Sequence, residues 1–307
     1  MRVAVVDIGT NSTRLLIADV DGGRLEELDR RSVVTRLGEG VDATGRLGDE
    51  PRRRVMAVLD DYTRAIEEHR CERRVAVMTS AVRDAANGAE FAAAVRERHG
   101  LDGHTLTGDE EARLTFLGAT ASRDGSGGGS LLVVDIGGGS TELVVGARGE
   151  VRFHVSTQAG VVRHTERHLR SDPPAQAEID ALAQDVRAIF EAAVPAGVRE
   201  GVAGVVAVAG TATSTAAIDL ELEPYDPART EGHVVSRERL AEIRARLAAL
   251  PLAERRAVPG LHPDRAPTIV AGTVLLDEVL GAFGLGAFEV SERDILWGVA
   301  LDSAPES

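Results

Sequence analysis

The chain has no lysine: all 35 of its basic residues are arginine. A Walker-type phosphate loop, which needs Gly-Lys-Ser/Thr, is therefore excluded. Codon bias in a GC-rich genome is the plainer reading of the arginine usage itself. Cysteine is almost as scarce. Cys71 stands alone, so no internal disulfide can form, which fits a reducing cytoplasm. Positive charge is in deficit, with a net charge of −14, and no cation excess exists to displace the counterions of a nucleic acid. Bulk nucleic-acid binding is excluded, whereas a small anionic substrate is open wherever arginines gather. Long apolar runs are missing too. Val3 to Val6 and Leu131 to Val134 each stop at an aspartate, far short of the ~20 residues of a membrane span. The N-terminus has no secretory layout. A cytoplasmic protein with no membrane partner is expected.

The 307 residues, 43% hydrophobic and 27% charged, suit a globular protein of two domains. Strand-like runs alternate with amphipathic stretches, the pattern of an α/β fold. Val3 to Val6 and Leu15 to Val20 read as a hairpin. Glu50 to His69 reads as a helix with Val55, Val58, Leu59, Tyr62 and Ile66 on one face. A strand is expected at Arg74 to Met78, and helices at Gly88 to His99, Gln176 to Val194 and Ser236 to Leu250. The run SRDGSGGGS, residues 122–130, reads as a surface loop near the domain junction. Domains are therefore expected at 1–122 and 123–307. A last helix near 291–303, starting at Ser291, can return to the first domain, although periodicity does not say where it packs.

One internal repeat dominates the reading. VAVVDIGTNSTRLLIADVDGGR, from Val3, returns as LLVVDIGGGSTELVVGARGE, from Leu131. Asp7 matches Asp135, Gly9 matches Gly137, Ser12 matches Ser140 and Thr13 matches Thr141. Two homologous halves facing one another follow from this. Each copy ends a buried strand in aspartate and turns through small residues: Gly9, Thr10, Asn11, Ser12 in one, Gly137, Gly138, Gly139, Ser140, Thr141 in the other. Glycine lets backbone approach a ligand closely, and successive N–H groups in such a turn bind oxyanions. Carboxylates beside phosphates hold magnesium through oxygen ligands, which makes Asp7 and Asp135 candidates. A single such turn also reads as a plain hairpin; two matched copies argue for a phosphate clamp.

These loops resemble the two phosphate loops of the superfamily containing actin, Hsp70 chaperones and sugar kinases. VVAVAGTATS, with Gly210 and Thr211, resembles its later glycine-rich loop. The stretches RLGEGVDATGRL, TSAVRDAANGAEF, TGDEEARLTFLGA, DIGGGSTELVVG, AGVVRHTE and ERRAVPGLHPDRAPTIVAG narrow the resemblance to the short form of the exopolyphosphatase/guanosine-pentaphosphatase family. The fold so implied is α/β, two actin-like (ribonuclease H-like) domains facing an interdomain cleft. The implied activity is hydrolysis of terminal phosphoanhydride bonds with Mg2+, and a homodimer is implied as well. Inorganic polyphosphate leads as substrate and guanosine pentaphosphate follows, because both present the same bond.

The resemblance also implies roles. Glu111 matches the catalytic carboxylate that activates water. Asp135 and Glu142 match acidic positions associated with the metal, and Arg14, Arg83 and Arg265 match arginines facing substrate phosphates. Each has a plainer reading. Glu110 and Glu111 open a helix, where acids complement the dipole. Arg83 can pair with Asp84, Arg14 can face outward from its strand, and HPDRAP reads as a helix start. Arg36 can reach phosphate or form a salt bridge. His154, His164 and His168 match no zinc spacing and read as solvated helix residues. Cys71 reads as structural. Two departures from the family pattern bear on substrate preference: Glu231-Gly232 with His233 one residue beyond, and His164 at a usually apolar position. Two rival functions remain: an actin-like ATP-dependent phosphotransferase, and a non-catalytic sensor of polyphosphate or guanosine alarmones.

Overall fold

In the computed structural model the described residues are 1–121, 129–147 and 150–303; most of the expected surface loop, residues 122–128, lies outside them. The chain divides into two compact units, Met1–Ala121 with Asp294–Ser307, and Ser122–Arg293.

The first unit runs β1 (Arg2–Ile8), β2 (Ser12–Asp21), β3 (Arg24–Val34), α1 (Val41–Thr44), α2 (Asp49–Glu68), β4 (Arg73–Met78), α3 (Ser80–Asp84), α4 (Gly88–His99), β5 (Asp102–Thr105) and α5 (Gly108–Thr120). Its sheet has the order β3-β2-β1-β4-β5. β1 pairs antiparallel with β2 and parallel with β4. The second unit runs β6 (Ser130–Ile136), β7 (Thr141–Ala147), β8 (Glu150–Thr157), α6 (Val161–His168), α7 (Gln176–Ala193), α8 (Ala196–Arg199), β9 (Val202–Val208), α9 (Ala209–Asp219), α10 (Pro227–Thr230), β10 (Val234–Ser236), α11 (Arg237–Ala249), α12 (Leu252–Arg255), α13 (Ile269–Phe283) and β11 (Ala287–Val290). Its sheet order is β10-β11-β9-β6-β7-β8. A three-strand antiparallel meander flanked by parallel strands thus occurs twice, as the sequence repeat requires. α14 (Ile295–Asp302) then returns to the first unit.

β1 is apolar at nearly every position because both faces are covered. Ala4, Val6 and Ile8 face one core with Val55, Leu59, Tyr62 and Ile66 of α2; Val58 is only partly buried against it. Val3 and Val5 face a second core with Leu114 of α5 and Ile295, Leu296 and Val299 of α14. α5 and α14 meet at backbone distance. A Cβ on Gly118 would fall 2.0 Å from the Asp294 carbonyl oxygen, and one on Gly298 would fall 1.8 Å from that of Leu114. That approach fixes α14 against the helix carrying Glu111. Cys71 is buried in the α2 core.

The helix at Gly88–His99 has the expected bounds, and α7 and α11 fall within a residue or two of theirs. The last helix is the exception. It begins at Ile295, with the Asp294 side chain accepting the Leu296 N–H as N-cap, not at Ser291. Ser291 instead donates its N–H to the Ala207 carbonyl, continuing the pairing of β11 with β9. Among the described residues no helix is long and apolar enough to cross a membrane.

Candidate active site

In the first unit the β1–β2 register sets Asp7 opposite Arg14. The Gly9 N–H closes the turn onto the Ser12 carbonyl at 3.0 Å, and the same oxygen would lie only 3.0 Å from a Cβ at Gly9. Backbone acceptors of the turn are engaged inside the unit. Asn11 O takes the N–H groups of Thr35 and Arg36, and Thr10 O takes that of Gly38. The Thr10 hydroxyl pairs with Ser80 Oγ at 2.9 Å and accepts the Ala81 N–H at 3.2 Å. Arg14 donates Nε and Nη2 to Asp7 Oδ2 at 2.8 and 2.6 Å, and Nη1 to Asp294 Oδ2. Arg30 stands 3.7 Å from that Asp294 oxygen. The Asp7 carboxyl is pushed up by burial, against the pull of Arg14. Its Oδ1 is buried with no hydrogen-bond partner among the described residues.

Two adjacent glutamates at the start of α5 have opposite surroundings. Thr107 and Glu110 form a capping box: the Thr107 side chain accepts the Glu110 N–H at 3.2 Å, and Glu110 Oε2 accepts the Thr107 N–H at 2.9 Å. Hydrogen bonds from the Thr107 backbone and hydroxyl lower the Glu110 carboxyl, which stays solvated. Glu111, 6% exposed, points inward. Its Oε2 accepts Arg83 Nη1 at 2.9 Å, and the same Nη1 donates to Leu106 O at 3.1 Å. Burial pushes Glu111 up to about 7, with Arg83 opposing and the Asp7 charge adding to the rise. A carboxyl balanced between its two forms at neutral pH is suited to taking a proton from water.

The second unit repeats the hairpin with different chemistry. Asp135 lies opposite Glu142, and Ile136 opposite Thr141. The Gly137 N–H closes onto the Ser140 carbonyl at 2.9 Å. α6 braces this turn from behind: Gly137 O takes the Val161 N–H, Gly138 O takes that of Val162, and Gly139 O takes Arg163 Nε at 3.0 Å. Gly160 lies against the turn so closely that a Cβ would sit 2.3 Å from Gly138 O. The Thr141 hydroxyl donates to the Ala159 carbonyl, and Ser156 Oγ donates to Glu142 Oε1 at 2.8 Å. β9 runs parallel to β6 with Val208 beside Asp135, so Gly210 and Thr211 follow at the same end. Ala209 adopts a left-handed φ of 61° there, a conformation that costs a non-glycine residue and clusters at functional sites. The Thr211 hydroxyl is 3.5 Å from Ile136 O. The Arg265 guanidinium covers Gly210, where a Cβ would lie 1.5 Å from Nη1.

The two copies of the repeat also differ in how they handle charge. Where Asp7 has Arg14 across the strand pair, Asp135 has Glu142, 1% exposed. Like charges directly opposite on an antiparallel pair repel, and an all-oxygen pair of carboxylates is what a hard dication selects. Asp135 and Glu142 therefore fit a magnesium-type ion. The open Oδ1 of Asp7 is an oxygen donor of the same kind.

The sequence candidates thus fall into two groups. Asp7, Gly9, Thr10, Asn11, Ser12, Arg14, Arg83 and Glu111 gather in the first unit; Asp135, Gly137 to Glu142, Gly210, Thr211 and Arg265 gather in the second. Arg14 is held between Asp7 and Asp294. Arg83 makes the Asp84 contact of its plainer reading, at 3.7 Å, and beyond it an ion pair with Glu111 at 2.9 Å that the sequence did not suggest. Asp294, Ser80, Ser156 and Gly160 were not singled out from the sequence. Asp294 carries the N-cap signal of an acid just before an apolar run; the other three become visible only through tertiary contacts. Glu231 accepts the Glu292 N–H at 2.6 Å, and His233 Nε2 sits 2.7 Å from Asp219. The reading of His154, His164 and His168 as solvated helix residues is overturned: His154 lies partly buried on β8, and His164 is fully buried.

Two α/β units, each with an acid-ended strand and a small-residue turn, define a protein of the actin-like class. The Ppx/GppA phosphatase family model matches residues 16–307. Exopolyphosphatase 2 of Mycobacterium tuberculosis is 40% identical over 316 aligned positions, covering 99% of this chain and 98% of that protein. The crystal structure of the Aquifex aeolicus Ppx/GppA family member is 32% identical, with a TM-score of 0.82 over 98% of this chain and 97% of that one. An exopolyphosphatase-like protein of known structure is 35% identical, with a TM-score of 0.91 over 98% of each chain. The chain belongs to the Ppx/GppA phosphatase family and is a phosphatase by that membership, which bears out the resemblance, fold class and enzyme class expected from the sequence.

Proposed function

We propose that this protein is an exopolyphosphatase, removing orthophosphate from the end of inorganic polyphosphate. The observation that carries the reading is Glu111: a buried carboxyl, held by Arg83 and pushed up to about 7. In the proposed reaction Glu111 accepts a proton from water as its oxygen bonds to the terminal phosphorus. The bridging P–O bond breaks, leaving orthophosphate and a chain one unit shorter. Arg83 keeps the Glu111 carboxylate oriented. Backbone amides of the turns at 10–12 and 138–140, with Arg265 beside Gly210, bind non-bridging oxygens. Asp135 and Glu142 are the residues that would hold magnesium, which when bound neutralises charge on those oxygens.

Phosphate release from short polyphosphate, long polyphosphate and guanosine pentaphosphate, comparing wild type with Glu111→Gln, tests the reading. Loss of the base lowers kcat roughly 10²- to 10⁴-fold with KM little changed. An undiminished rate in the variant removes Glu111 from the mechanism. Release from guanosine pentaphosphate alone reassigns the substrate. Phosphate transfer from ATP to an acceptor without polyphosphate hydrolysis, or ligand binding without release, would replace the proposal with one of the two rival functions.

A further inference from the structure

Behind the second turn, α6 carries His164 and His168 one helical turn apart, and α7 places Asp185 beside them. The three residues offer ligand atoms that all lie within 4.8 Å of one another. None belongs to the phosphate clusters described above. His164 is 0% exposed. Its Nδ1 faces the Gly160 carbonyl at 3.1 Å. A carbonyl only accepts, so Nδ1 carries the ring proton and Nε2 presents a lone pair. That Nε2 is buried without a hydrogen-bond partner among the described residues, and it stands 3.6 Å from Asp185 Oδ2. His168 Nε2 lies 2.8 Å from the same oxygen. The two imidazoles stack with centroids 5.8 Å apart. Arg167 Nη1 approaches that oxygen at 3.5 Å from the solvent side.

A buried lone pair turned toward a carboxylate oxygen is unsatisfied, and a proton or a cation between them would satisfy it. Burial lowers the affinity of His164 for a proton, which favours the neutral, coordinating ring. The spacing suits a metal. Zinc bonds of about 2.0–2.1 Å to nitrogen and oxygen in a tetrahedron put donor atoms roughly 3.3 Å apart. The observed 2.8 and 3.6 Å straddle that value. A ligating histidine is normally oriented by giving its other N–H to a backbone carbonyl, as His164 does to Gly160. Two imidazoles with one carboxylate suit zinc-class ions rather than magnesium, which takes oxygen.

We propose that His164, His168 and Asp185 bind a zinc-class dication with a fourth position open to water, clamping α6 onto α7. The clamp reaches the phosphate turn through one residue. Gly160, whose carbonyl orients His164, packs directly on Gly138, and the first turn of α6 holds the carbonyls of Gly137 and Gly138. An ion at the far end of α6 would therefore stiffen the brace behind that turn.

The test titrates Co2+ and Zn2+ into metal-stripped protein in the presence of excess Mg2+, which keeps oxygen-rich sites filled. Wild type is expected to take up one equivalent of Co2+ with the intense visible bands of low-coordinate, nitrogen-bound cobalt. Zn2+ should abolish those bands and raise Tm. His168→Gln and Asp185→Asn, at half-buried positions the fold tolerates, should each weaken Co2+ binding at least roughly tenfold and remove the Tm gain. His164→Leu, confirmed folded by circular dichroism, should abolish both signals. Wild type without saturable cobalt bands, or variants that bind cobalt as wild type does, overturns the proposal.

Discussion

The two hairpins of the repeat share strand, turn and register, yet one position separates their chemistry. Across from its aspartate the first copy places Arg14, and the second places Glu142. In the first copy the charge is neutralised from within: Arg14 bridges Asp7 and Asp294, while Arg83 holds Glu111. The second sets two carboxylates opposite one another, an oxygen pair of the kind a hard dication takes. A duplicated element has thus diverged at its cross-strand partner while its glycines keep the same turn. Backbone geometry and charge are therefore separable in this motif.

Arg14→Met should be the most damaging substitution. It leaves Asp7 and Asp294 buried without their shared guanidinium, an expected loss of about 3–5 kcal/mol in urea unfolding. Arg83→Met acts on the same unit through protons. Because Arg83 opposes the burial that raises Glu111, the alkaline-rising limb of the rate profile, expected near pH 7 in wild type, should move upward in the variant. The sign also fixes a stability effect. Glu111 binds its proton more tightly folded than unfolded, so its contribution is full below the ordinary pKa of about 4.5 and lost as pH rises through about 7. Thermal melts at pH 5 and pH 8 should show Glu111→Gln gaining relative to wild type at the higher pH. Glu110→Ala, one residue away, should cost about 1 kcal/mol from its cap and leave the pH profile in place. Glu142→Gln is expected to give the smallest change and one opposite in sign to Arg14→Met. In chelator it should stabilise by roughly 0.5–1 kcal/mol, since one of two opposed carboxylates is removed. A loss of stability there would show that the opposed Asp135 and Glu142 carboxylates do not repel one another in the folded chain.

The hairpins and long helices were legible because their signals are local. Asp-Gly-Ser-Thr spacing recurs in both copies, and the apolar face of α2 follows helical period. Glu111 was separable from Glu110 by motif context; position along the helix alone gives both the same dipole argument. Asp294 escaped because its partner Arg14 lies 280 residues earlier, and no local pattern encodes such a pairing. His164 and His168 display their one-turn spacing openly, but the histidines match no zinc spacing and Asp185 is on another helix, so only tertiary contact shows the cluster. The start of the last helix moved from Ser291 to Ile295 for a related reason: Ser291 also has the residue type of a cap, and only its hydrogen bond to Ala207 shows that it extends the pairing of β11 with β9.

The late return of α14 to the first unit has a consequence for biosynthesis. Domains fold largely in order as they leave the ribosome, yet Asp294, which closes the Arg14 network, is translated only after the whole second unit. A nascent chain halted before residue 294 would carry its glutamate and both glycine turns while lacking the last carboxylate of the first cluster. Assembly of that cluster therefore waits until synthesis has passed the second unit.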